Sequence, residues 1–329
     1  MGFVRLFPQS WVYSAKPRIS PKTDTAFGIC ESCATLLESC ATQLSVRPER
    51  WVGGVVAQVP RAPAGVDISR PAPARIYDYM LQGDNHFESD VQAAKRILSA
   101  VPEIRDCAWS NRGFHQRAAK WIAERGVRQF IDIGSGLPTV GNTHEVVQKV
   151  IPGARVVYVD HDPMVAELGG VLLADDRSTR VICADLREPA AILEHPDLKE
   201  LIDFSQPTGL LLTAVLMFVS DSSDPWRLVE QYTDALAPGS YLALSHLTDD
   251  YKPPVTAERF RAVFDQATDR LYFRSQAGIT RFFDGMELVP PYEGAQPAIC
   301  YTGLWGAEDP VLADSDGARW LYCGVARKP

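Results

Sequence analysis

Short apolar runs recur along the chain from residue 128 onward, and the first three stop at a glycine or an aspartate. Arg128 to Ile133, Arg155 to Asp160, Arg180 to Ala184, Gly209 to Val215 and Ser240 to His246 have the length and β-branched content of buried strands. Between them the apolar positions recur at helical spacing, near 141–150, 163–174, 188–194 and 225–236. Pro163 suits the first turn of a helix, and Ala237-Pro238-Gly239 stops the helix before the fifth strand. Five such strand–helix units predict an α/β domain with a mostly parallel, doubly wound sheet and right-handed crossovers. Two further helices are predicted at Thr256–Ala267 and Ser275–Phe282. Two last strands follow at Met286–Val289 and Trp320–Ala326.

The pattern before the first strand is different. Helical spacing covers about 74–81, 89–99 and 109–125, the last ending at Gly126, which suits a C-cap. A Pro/Ala/Gly linker runs from Pro60 to Pro73, and residues 1–60 are mostly polar and proline-bearing, with a helical patch at Cys30–Leu44. This divides the chain into an N-terminal extension at 1–60, expected to be flexible, a helical lid or linker at 61–125, and a cofactor-binding domain at 126–329.

Charge and composition narrow the partners. The 329 residues carry a formal charge of −8, which disfavours nucleic acid, because phosphate contacts need clustered Lys and Arg. No window reaches the roughly 18 apolar residues of a membrane span, and the start of the chain has no signal-peptide pattern. Seven cysteines, with Cys183 and Cys323 in apolar contexts, point to reduced thiols and a cytoplasmic protein. Cys30, Cys33 and Cys40 lack a second cysteine pair or a nearby histidine, so no metal site is expected. The oligomeric state stays open, a homodimer included.

The candidate chemistry gathers where the first two strands end. Phe130-Ile131-Asp132-Ile133 breaks at Gly134-Ser135-Gly136, and the second strand breaks at Asp160, 26 residues after Gly134. Glycines let the backbone turn tightly and approach a ligand, and a strand-ending carboxylate can accept from both ribose hydroxyls. The dinucleotide fingerprint wants a third glycine where this chain has Thr139, and Pro138 removes an N–H that a diphosphate would use. A nucleoside cofactor without a diphosphate fits better, and S-adenosylmethionine is one, with S-adenosylhomocysteine as its product. Asp185, after the third strand, is placed for an adenine amino group. Asp132 is placed to anchor the loop or the ligand's ammonium. A nicotinamide reductase is the weaker alternative: short-chain reductases need Tyr-x-x-x-Lys, and no tyrosine here has a lysine four residues on.

Eight segments stand out, colinear over roughly Arg70 to Pro329: Arg75-Ile76-Tyr77-Asp78-Tyr79-Met80-Leu81, Asn111-Arg112, Phe130 to Thr139, Gly141-Asn142, Tyr158 to Pro163, Leu236 to Ser240, Ser245-His246 and Phe283 to Leu288. Together they resemble the actinobacterial S-adenosyl methyltransferase family, formerly a domain of unknown function within the class I superfamily. The resemblance implies a Rossmann-like, seven-stranded sheet whose last strand is antiparallel, with an N-terminal helical lid over the cofactor. The two terminal strands read above agree with it. It also implies that Gly134, Ser135 and Gly136 line the cofactor loop, Asp160 holds the ribose, His161 lies beside the adenine and Asp185 binds its amino group, with Tyr79 and Arg75 as lid residues. The chain departs from the family at Gln82, where a glycine is usual, at His86, where an Asn is usual, and at Met217, where a His follows Leu in many relatives.

Methyl transfer needs alignment and a dry site, and a hydroxyl acceptor often needs a general base. His246, ending the fifth strand, is the first candidate base, and His86 in the lid is the second. His115 and His144 sit on predicted helices and are expected to be surface or satisfied partners, and His195 is expected to be inert in a loop. Nucleic-acid methylation is disfavoured, because the fourth strand ends Thr213-Ala214-Val215-Leu216 rather than in an Asn/Asp-Pro-Pro run, and no Pro-Cys dipeptide offers a nucleophile. The expected function is methyl transfer to a small-molecule acceptor. The alternative is a module that binds S-adenosylmethionine or S-adenosylhomocysteine without turnover.

Overall fold

Strand β1 (Gln129–Ile133) is buried at every position, as a strand covered on both faces must be. Its side chains alternate. Ile131 and Ile133 join one apolar layer, while Phe130 joins the layer on the opposite face. The computed structural model describes residues 62–63, 66–139, 141–173 and 176–329. The expected N-terminal extension and its three cysteines lie outside the described residues.

Among the described residues three helices precede β1: α1 (Pro73–Met80), α2 (Glu88–Ala100) and α3 (Ile104–Glu124). α3 begins five residues earlier than the sequence suggests, its added turn burying Ile104 and Cys107. Then come α4 (Thr143–Val150), β2 (Arg155–Asp160), α5 (Pro163–Leu172), β3 (Thr179–Cys183), α6 (Pro189–Leu193), α7 (Pro196–Leu201), β4 (Gly209–Thr213), α8 (Pro225–Asp234), β5 (Tyr241–Leu247), α9 (Pro254–Phe264) and α10 (Gln276–Thr280). The short strands β6 (Glu287–Leu288) and β7 (Cys300–Tyr301) lead to β8 (Leu321–Arg327). α7 was not expected. His195, read as a loop residue, is its N-cap, and its ring accepts from the Asp197 amide.

The strand order is β3-β2-β1-β4-β5-β8-β6, with β7 also paired to β8. Both short strands lie antiparallel along β8, β6 opposite Ala326 and Arg327, β7 opposite Tyr322 and Cys323. The sheet is therefore seven strands wide, with its outermost lane split in two. Pro290, Pro291 and Pro297 between the halves withhold ladder N–H groups. β1 to β5 are parallel and β8 is antiparallel, as expected.

The order reverses between β1 and β4, and that switch point opens a crevice at the carboxyl ends of the strands. Above it sits a separate apolar cluster built from α1, α2, the start of α3 and α9, with Met217, Trp320 and Leu321. This is the lid. Among the described residues no helix is long and apolar enough to cross a membrane.

Candidate active site

A single cleft occupies the crevice, enclosing about 1450 Å³ of empty space with its open mouth included. Its floor is the turn after β1. Gly134 sits at φ +70°, where a Cβ would fall 2.1 Å from Val215 Cγ2, so no other residue fits. Gly136 sits at φ +67°, and nothing lies within 4 Å of where its Cβ would be. Gly136 lines the cleft. The Gly134 and Ser135 amides both donate to the Val159 carbonyl at 2.8 and 3.3 Å, tying the turn to β2.

Asp160 ends β2 almost wholly buried. Its Oδ2 accepts from the Gly136 amide at 2.9 Å and its Oδ1 from the Asp162 amide at 3.0 Å. Each oxygen keeps a lone pair for a ligand. Burial raises its pKa above the usual carboxylate range, against the two amides that lower it. His161 beside it is nearly half exposed, and its Nε2 lies 3.2 Å from Asp269 Oδ2. The bond to Asp269 raises the imidazole pKa to about 9, so the ring is cationic at neutral pH. Asp185 lines the same end, gripped by Arg187, whose Nε and Nη2 donate to it at 2.6–2.9 Å.

Further in, α3 supplies polar groups. Asn111 Oδ1 accepts from Ser245 Oγ at 2.6 Å, its Nδ2 donates to Tyr77 Oη at 3.1 Å, and Tyr77 donates to the Ala108 carbonyl at 3.0 Å. Burial pushes the Tyr77 phenol up to about 12. Arg112 lines the cleft and donates to Asn142 Oδ1 at 3.2 Å. Thr213, ending β4, and His115 complete this wall. Ala214 follows at φ +54°, a strained conformation for a residue with a Cβ, held because its amide donates to both the carbonyl and Oγ of Ser245 at 3.0 Å.

Beyond these groups the lining turns apolar. Ile76, Met80, Ile97, Ile104, Met217, Phe218, Phe260, Phe264, Leu271 and Leu321 form a chamber beneath the lid. Met217, where the chain departs from the family, is in its wall.

Several expected residues stand elsewhere. His246 is fully buried and does not line the cleft. Its Nδ1 donates to the Leu247 carbonyl at 2.7 Å and its Nε2 accepts from Arg274 Nη1 at 2.6 Å. Burial and the Arg274 charge lower its pKa to about 3. The expected base is thus a neutral buttress for Arg274, which donates to the Leu216 and Val219 carbonyls and so fixes the turn carrying Met217. His86 also misses the cleft and binds Asp78 Oδ2 at 2.9 Å. Arg75 is buried against Asp90, 3.0 Å away, and reaches toward Asp162 at 3.6 Å. It pins the lid helix without facing the cleft. Tyr79 packs edge-on to His86, and Tyr77 is the tyrosine of α1 that faces inward. Asp132 does not line the cleft either. Its Oδ2 accepts from Thr143 Oγ1 at 2.6 Å, and its buried Oδ1 has no partner.

Sequence reasoning passed over Asn111, Arg187, Asp269 and Thr213. The Asn111-Arg112 pair at helical phase with the buried face of α3 was the one available signal.

The sequence model described as S-adenosyl methyltransferase matches residues 60–329. A solved structure of a candidate methyltransferase from Thermobifida fusca YX is 40% identical, covers 82% of this chain and 98% of its own, and superposes with a TM-score of 0.74. A DUF574 family protein from Streptomyces avermitilis MA-4680 is 35% identical, covers 80% of this chain and 100% of its own, and has a TM-score of 0.73. None of the curated proteins compared with the chain matches it.

Proposed function

Because the chain belongs to the S-adenosyl methyltransferase family, we propose that it methylates a small, largely apolar molecule seated in the chamber beneath the lid. S-adenosylmethionine is the cofactor, and when bound it supplies an activated methyl group on its sulfonium. The observation that carries the acceptor reading is the continuity of one cleft: the Gly136 gap, Asp160 and Asp185 line one end, and the chamber of Met80, Met217, Phe260 and Phe264 lines the other.

The residues present fit the cofactor. The open space at Gly136 leaves room for a ligand to approach the backbone. Asp160 would accept from the ribose hydroxyls with its remaining lone pairs, and Asp185, oriented by Arg187, would accept from the adenine amino group. His161 would stand at the rim near the adenine, and Arg112 would offer a cation to the amino-acid carboxylate. Gly134 and Ser135 shape the turn beneath. The apolar chamber excludes water and orients the acceptor, which is most of what methyl transfer asks of a protein. The reduced thiols of Cys107 and Cys323, both buried, support a cytoplasmic setting.

The test is formation of S-adenosylhomocysteine from S-adenosylmethionine across matched acceptors. Apolar phenols, alcohols and amines should be turned over, with charged analogues at least about tenfold slower, since burying an unpaired charge in such a chamber costs several kcal/mol. Preference for charged acceptors would contradict the reading. Binding of both cofactor forms with no turnover across the panel would instead favour a module without activity.

A further inference from the structure

With His246 and His86 off the cleft, the site needs another way to remove a proton from a protic acceptor. One row of side chains leads from the cleft to a buried carboxylate. Thr213 Oγ1 lies 2.9 Å from His115 Nδ1, His115 Nε2 lies 2.8 Å from Thr143 Oγ1, and Thr143 Oγ1 lies 2.6 Å from Asp132 Oδ2. The fold sets this row in place. Asp132 falls on the face of β1 opposite to that of Ile131 and Ile133, which α3 covers, and its register partner on β4 is Leu211, two residues before Thr213. α3 then lays His115 between the ends of the two strands.

The donors run in one direction. An ionised carboxylate only accepts, so Thr143 donates to Asp132 and must accept from His115 Nε2–H. His115 Nδ1 is then a bare lone pair, which accepts from the Thr213 hydroxyl. Thr213 Oγ1 keeps lone pairs of its own, and Thr213 lines the cleft while Asp132 does not.

We propose that Thr213, His115, Thr143 and Asp132 form a proton relay that takes the proton from a hydroxyl or amine acceptor during methyl transfer, a role that rests on the function proposed above. As the acceptor heteroatom bonds to the methyl carbon, the methyl–sulfur bond breaks with its electron pair staying on sulfur. The acceptor's proton passes to Thr213 Oγ1 and Thr213's own proton to His115 Nδ1. The Nε2 proton passes to Thr143 Oγ1, and Thr143's proton to Asp132 Oδ2. Asp132 ends as the carboxylic acid, and His115 ends as the opposite neutral tautomer. Thr213 is the catalytic member, and the other three act through it.

The surroundings suit both ends of the row. Burial, with the Arg112 charge adding to it, holds His115 near 3, so the ring stays neutral and passes protons without storing one. Burial raises Asp132 to about 6, within reach of neutral pH. The Thr143 bond and Arg112 from α3 pull it down, and Asp160 from β2 pushes it up. Tyr158, also from β2, faces the same group through Thr143 and stays un-ionised.

The tautomer of His115 reads the relay without any acceptor or cofactor. In the full ¹⁵N-labelled chain, with the ring assigned by loss of its signals in His115→Gln, long-range ¹H–¹⁵N spectra should show neutral imidazole from pH 5 to 8. The Nε2–H form should dominate above about pH 7 and give way to Nδ1–H with a midpoint near 6. Asp132→Asn should abolish that exchange. Thr213→Val should leave S-adenosylhomocysteine affinity within about threefold by calorimetry. A pH-independent tautomer, a cationic ring in this range, exchange that survives in Asp132→Asn, or a tenfold loss of affinity in Thr213→Val would each overturn the relay. Failure of the wild-type chain to bind S-adenosylhomocysteine would overturn the cofactor site instead, leaving the tautomer result to stand by itself.

Discussion

Asp160 and His161 are neighbours in sequence, yet they face opposite electrostatic demands. Asp160 must stay ionised while buried, and two amide donors at 2.9 and 3.0 Å support that charge. His161 sits at the rim and borrows its charge from Asp269, a residue 108 positions away on the segment after α9. The pair joins the cofactor edge of the sheet to the lid side of the cleft. The sign of its pH dependence follows from a folded pKa raised to about 9 above an ordinary value of 6.5. The folded chain holds this proton more tightly, so the contribution is fully present below about pH 6.5 and is lost as pH rises through 9. In Asp269→Asn, the His161 titration followed by NMR should fall from about 9 toward 6.5, and the alkaline loss of stability should shrink. A titration left near 9 would show that Asp160 and Asp185 hold the charge without Asp269. The same scale explains why His246 misled. Alternation along β5 puts Ser245 toward Asn111 on α3 and so turns His246 to the other face, against Phe282 and Arg274. A strand-ending histidine advertises its height in the sheet, and its facing depends on the neighbour's partner.

At the scale of elements, α1 ends in a strained turn. Gln82 follows α1 at φ +62°, a left-handed conformation that L side chains enter at a cost. Gly83 next to it packs so close to Asp78 that a Cβ would fall 2.1 Å from Oδ1. Gln82→Gly should therefore raise the unfolding free energy by about 0.5–1 kcal/mol, measured by urea denaturation, because the strain relieved exceeds the entropy glycine adds to the unfolded chain. A destabilised variant would mean that the Gln82 side chain contributes more than its backbone costs. The elements themselves were largely legible. The five parallel strands announce themselves through apolar runs, because both faces are covered, and the first three runs end at a glycine or an aspartate. α7 is six residues beginning at a proline, too short to show a period. β7 is two residues whose strand conformation comes from pairing with β8 and not from local preference.

At the scale of the whole molecule, the switch point between β1 and β4 decides where everything meets. It gathers Gly134 and Gly136 from one turn, Asp160 and Asp185 from the next two strands, Thr213 from the fourth, and the faces of α1, α3 and α9 above them. Gly134, Gly136, Asp160 and Asp185 were readable as one cluster because they follow strand ends in a fixed order. The wall of His115 and Thr213 was not, because the two are 98 residues apart and meet only when α3 lies across the sheet. We propose that the glycine turn and Asp160 hold S-adenosylmethionine and its product. The decisive experiment is calorimetric titration of S-adenosylhomocysteine into the wild-type chain and Asp160→Ala, with thermal unfolding run on both. Saturable one-site binding by the wild type is expected, with a loss of about 100-fold in the variant, the size expected from removing two charge-assisted hydrogen bonds worth roughly 3 kcal/mol together. No binding by the wild type, tighter binding of NADH than of S-adenosylhomocysteine, or equal affinity in a folded Asp160→Ala chain would contradict it.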